Sequence, residues 1–128
     1  MNSKDFDNLL YDNPTELNLY EMSDLTPDIT GLPDNIIIWA RVDSSDHGHN
    51  RYRVKATKNR EFSAIFLVSK KPVIKKESNI PKNRLSSKEK QIVSAFIIKY
   101  SSLIISWIDG KLTSNQVNTE ILKIRGTE

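Results

Sequence analysis

The sequence predicts an α+β fold, a three- to four-stranded antiparallel meander packed by one long C-terminal helix and a short final helix. Three observations carry that expectation. Apolar residues recur with period two between Asn35 and Val68. Ser86 with Glu89 three positions on forms a capping-box pattern that opens a run of apolar residues at helical spacing. Thr113 and Gln116 repeat that pattern just before Val117, Ile121 and Leu122. At 128 residues the chain is long enough for one domain with a real core.

Taken in order, residues 1–33 read as an acidic N-terminal arm and 34–128 as a single α+β domain. The arm scatters Phe6, Leu9, Leu10, Tyr11, Leu17, Leu19, Tyr20, Met22 and Leu25 among its acids without a sustained period, and ends in the punctuation Pro27, Gly31, Pro33. From Ile36, β-branched and aromatic residues dominate, with Ile36, Ile38, Ala40 and Val42 alternating against Ile37, Trp39, Arg41 and Asp43. A loop from Ser44 to Asn50 precedes a second strand, in which Arg51, Arg53, Lys55 and Thr57 alternate with Tyr52, Val54 and Ala56. Lys58, Asn59 and Arg60 make a short turn into a strand over 62–68, and Pro72 to Lys75 suggests a short edge strand. After the capping box, Ile92, Val93, Phe96, Ile97, Tyr100, Leu103, Ile104, Trp107 and Ile108 form one helical stripe, with Gly110 as its stop. Tyr100, Ser101 and Ser102 are weak helix formers, so a kink is expected there.

Charge is sorted along the chain. Residues 1–40 carry a net of −7, residues 41–90 a net of +9 and residues 91–128 a net of +1, giving the total of +3. A near-neutral sum thus hides an acidic head and a basic middle that attract each other or a partner. There is no cysteine, which excludes disulfides, zinc-thiolate sites and cysteine nucleophiles and suits a reducing compartment. No targeting signal and no apolar run of membrane-spanning length is visible, so the expectation is a soluble cytoplasmic protein without a membrane partner.

The basic middle is the main candidate site. Side chains two apart in a strand lie about 7 Å apart on one face, so Arg51, Arg53 and Lys55 are expected to form a row. Arg41, Lys58, Arg60, Lys70 and Lys71 extend it at the sheet ends, on a spacing that suits a phosphate backbone. The competing reading is a solvated face whose basic stems cover apolar surface. His47 and His49 flank Gly48 beside Asp46, a loop pair that suggests metal ligation or a general base next to Arg51 and Arg53 for RNA cleavage. No third or fourth ligand is identifiable, so neither a metal nor a cofactor is expected. Trp107, on the apolar stripe, is expected in the core, whereas Trp39 shares its face with Ile37 but also with Arg41 and Asp43.

The patterns IIIWARVDSSDHGHNRYRVKA and FIIKYSSLIISWIDGKL resemble small uncharacterised proteins of bacteria, phages and mobile elements over about residues 33–123. That resemblance implies a β-meander followed by C-terminal helices. It implies no activity, though a mobile-element setting favours toxin–antitoxin or anti-defence roles.

Three functions follow as expectations. The first is a non-enzymatic binding module whose basic sheet face meets nucleic acid or a nucleoprotein, with the acidic arm as its shield. The second is a small inhibitor or accessory subunit that captures a protein partner through the arm. The third is a small ribonuclease using His47 or His49.

Overall fold

The computed structural model describes residues 22–41 and 52–127. Five strands, β1 (Met22–Leu25), β2 (Ile36–Arg41), β3 (Arg53–Lys58), β4 (Glu61–Leu67) and β5 (Val73–Glu77), form one sheet in the order of the chain. Every neighbouring pair is antiparallel, so the expected meander is present with five strands instead of three or four. The additional strand is β1, which the sequence places among the acids of the arm. Four residues are too few to show a period, and pairing with β2, Leu25 against Ile38, decides their conformation. Leu25 is fully buried.

Two turns shape the sheet by left-handed residues. Asn59 (φ 52°) and Arg60 (φ 68°) form a two-residue connection between the paired Lys58 and Glu61. Positive φ at both positions matches the right-handed twist of the strands. Asp34 (φ 57°) and Asn35 (φ 53°) repeat the device before β2, closed by the Ile36 N–H donating to the Pro33 carbonyl at 3.0 Å.

One face of the sheet carries Ile36, Ile38, Ala40, Val54, Ala56, Ala64 and Phe66, which join the buried side chains of the helices in a single core. The long helix expected over 87–108 is two helices, α2 (Ser87–Lys99) and α3 (Ser101–Ile108), bent by 74° at Tyr100. The weak helix formers at Tyr100–Ser102 permit the break, and packing requires it. A straight helix of that length, at about 1.5 Å per residue, would overshoot strands of about 20 Å. Bending lays Phe96 and Ile97 of α2 and Ile104, Trp107 and Ile108 of α3 on the same core. The Trp107 indole N–H reaches the Ser114 hydroxyl at 3.0 Å.

Both capping boxes form as expected, at Ser86 with Glu89 and at Thr113 with Gln116. The final helix, α4 (Ser114–Gly126), is 13 residues long, so it is not the short segment expected. It buries Val117 and Ile121 and ties its last turn back to α1, the helical turn Pro27–Thr30, where the Arg125 guanidinium donates to the Ile29 carbonyl at 2.6 Å. Gly31 (φ 75°) ends that turn against Arg125, and a Cβ there would meet the guanidinium at 2.9 Å. Among the described residues no single helix is long and apolar enough to cross a membrane; α2 and α3 pass that test only together, across their bend.

Candidate functional site

The meander separates two ends of the sheet. At the turn end lie Ile36, Lys58, Asn59, Arg60, Glu61 and the start of α2. At the open end lie Arg41 at the close of β2, Arg53 at the start of β3, Leu67 at the close of β4, and the Ser69–Lys71 bend that leads to β5. Arg53 faces Leu67 across the ladder, and the Val68 N–H donating to the Tyr52 carbonyl at 2.8 Å continues the pairing outward. The open end therefore brings together Arg41, Arg53, Lys70 and Lys71, four residues the sequence nominates. Lys70 and Lys71 are exposed, whereas Arg41 and Arg53 are partly buried and engaged by other groups. Arg51, His47 and His49, also nominated, lie outside the described residues.

At the turn end two basic residues, Lys58 and Lys90, are neutralised within the fold. Lys58 Nζ lies 3.0 Å from Glu89, which also accepts the Ser86 backbone N–H at 2.7 Å as half of the capping box. Burial pushes the Glu89 carboxyl up, but Ser86, Lys58 and Asp34 outweigh it and hold the pKa down at about 2. The cost falls on Asp34, whose carboxyl is raised chiefly by its hydrogen bond to Glu89 and also by burial and the Glu89 charge. Beside this cluster Lys90 meets Glu77 at 2.7 Å, and that contact is the main cause that lowers the Glu77 carboxyl. Arg60 is exposed at the hairpin tip.

Lys55 departs from the expected basic row. It is 0% exposed, so the face it shares with Arg53 is not an open track of cations. Its ammonium lies 5.6 Å from the centre of the Trp39 ring, directly across the β2–β3 pair, while the Trp39 indole N–H donates to the Thr57 hydroxyl at 2.9 Å. Among the described residues no group accepts a hydrogen bond from Lys55 Nζ, and burial lowers its pKa to about 8. The Trp39–Lys55 stack and the Asp34–Lys58–Glu89 cluster are the two arrangements that reading the sequence misses. The first left a signal. Strand β3 lies between IIIWA and FSAIF, two apolar runs without alternation, and a strand between two such neighbours is central and covered on both faces. The second joins residues far apart in the chain and left none.

Among the described residues no group of three or more His, Asp or Glu side chains comes together in a way that would hold a metal ion. No protein-family model, no curated protein and no solved structure matches the chain.

Proposed function

We propose that the chain is a non-enzymatic binding module whose open sheet end takes the phosphate backbone of a nucleic acid or nucleoprotein. The observation that carries this reading is the placement of Arg41, Arg53, Lys70 and Lys71 at one end of the sheet. The described carboxylate at that end is Asp109, and it already accepts the Tyr52 hydroxyl at 3.0 Å. Exposed cations such as Lys70 and Lys71 attract a polyanion, and each phosphate they neutralise releases counterions, which makes the binding depend on salt. Lys75, exposed on the outer strand, carries the same charge along the edge, where it also discourages pairing with another strand.

The test is retention of the full chain on duplex DNA and single-stranded RNA across a salt series. Binding at low salt with a slope of roughly −3 in log K against log salt is expected for three to four phosphate contacts. Replacing both Lys70 and Lys71 with Glu should abolish it. No retention on either nucleic acid at low salt overturns the reading.

A further inference from the structure

Strand β5 closes one edge of the sheet, and among the described residues nothing pairs with its outer side. Such an edge presents a row of backbone N–H and C=O groups to whatever lies beside it. Next to it, against the first turn of α2, lies an open groove of about 380 Å3 lined by Ile74, Lys75, Lys76, Glu77 and Lys90. Exposed apolar side chains mark either end of the strand: Val73, 53% exposed at its start, and Ile80, 49% exposed just beyond its close. Lys75 is exposed within the strand and Lys82 follows in the short turn Pro81–Asn83. The carboxylate of the strand, Glu77, is already paired with Lys90 at 2.7 Å.

We propose that β5 takes an extended, acidic segment of a partner protein as a sixth strand. Main-chain hydrogen bonds to the free edge hold the segment, and its alternate side chains enter the groove beside Ile74 and Lys90. The edge calls for a peptide. Phosphates accept hydrogen bonds and do not donate them, so a nucleic-acid backbone leaves the β5 carbonyls unmatched, whereas a strand supplies both partners. A second copy of β5 is disfavoured, because an antiparallel pair centred on Lys75 sets that lysine against itself, and like charges directly opposite destabilise. The lysine that guards the edge against its own kind thereby attracts a strand with Glu or Asp at the facing position. The other edge, β1, has four residues and exposes Asp24, which directs an acidic strand to β5. The contact runs along the side of β5 and does not require nucleic acid at the open end.

The test screens the full chain against a library of random dodecapeptides. Selected sequences should lack proline and carry Glu or Asp at alternate positions among apolar residues. With a selected peptide bound, amide hydrogen exchange should slow at the outward N–H groups of Val73–Glu77 and not in α4. N-methylation of one set of alternate peptide amides should weaken binding about tenfold, and methylation of the other set should spare it, since only one edge of the peptide joins the ladder. Lys75→Glu should weaken the unmethylated peptide about tenfold, and Lys75→Arg should restore it. No enrichment of acidic sequences, protection elsewhere than β5, or equal binding of the two methylated peptides overturns the proposal. So does protection of the β5 amides on raising the protein concentration without peptide, because the edge then takes a second copy. Retention on nucleic acid is read in a separate assay, so either reading can fail alone.

Discussion

The two ends of the sheet hold similar numbers of cations and use them differently. At the turn end Lys58 and Lys90 are matched to Glu89 and Glu77, and the matched groups fasten α2 to the β3–β4 hairpin and to β5. At the open end Lys70 and Lys71 stand exposed on a bend, beside Arg41 and Arg53. Charge at the first end contributes to the fold; at the second, Lys70 and Lys71 are left exposed to solvent. The same residue type in one basic segment therefore serves two ends, and the pairing acids decide which.

The largest expected effect on stability comes from Glu89, which caps α2 and anchors Lys58. Glu89→Ala should cost about 2 kcal/mol, because it removes a cap and leaves a half-buried ammonium without its partner. Chemical denaturation measures this, and binding to nucleic acid should be unchanged. The pH dependence has a defined sign. Because the folded pKa of about 2 lies below the ordinary value of 4.5, the stability Glu89 contributes is complete above about pH 4.5 and is lost as pH falls through about 2. Glu89→Gln should flatten that acid limb; an unaltered limb would assign it to other carboxylates.

Next in size is an effect on binding alone. Replacing both Lys70 and Lys71 with Ala should reduce the salt slope by about 2 while stability stays within about 0.5 kcal/mol. A fall in melting temperature with an unchanged slope would place these lysines in the fold and erase the contrast between the ends.

Arg60→Gly sharpens the comparison from the other side. An arginine in the left-handed region is strained by about 1 kcal/mol, and Asn-Gly is the favoured pair for such a hairpin, so the variant should be more stable by up to that amount. Binding should not change, since Arg60 sits at the turn end. The smallest effect belongs to Glu77→Gln. Its pair with Lys90 is partly solvated, with side chains 38% and 30% exposed, so the loss should stay within about 0.5 kcal/mol and shrink further in salt.

How much of this was legible depends on the range of the forces involved. Local signals read well: both capping boxes, the stop at Gly110, the weak point near Tyr100 and the core position of Trp107 are set by neighbours within a turn or two. The candidate site was legible in part. Lys70 and Lys71 are nominated from charge, and the structure leaves both exposed. Lys55 looked like part of the same row because alternation along one strand reports two faces without reporting what lies above either. The Asp34–Lys58–Glu89 cluster was illegible, since its members meet only when the β2 entry turn, the end of β3 and the first turn of α2 converge.

By itself the sequence determined which segments after Asn35 become strands and helices, where α2 and α4 begin, and that positive charge gathers in the middle of the chain. Those properties follow from backbone propensity, side-chain periodicity and composition, which act over a few residues. The tertiary structure decided the rest. It recruited Met22–Leu25 as a fifth strand, bent α2 from α3, and lengthened α4 into a full helix. It also sorted the cations into a buried Lys55, a paired Lys58 and an exposed Lys70 and Lys71. The reason is physical: burial and ion pairing depend on the distance between elements remote in the chain, and no local pattern encodes that distance.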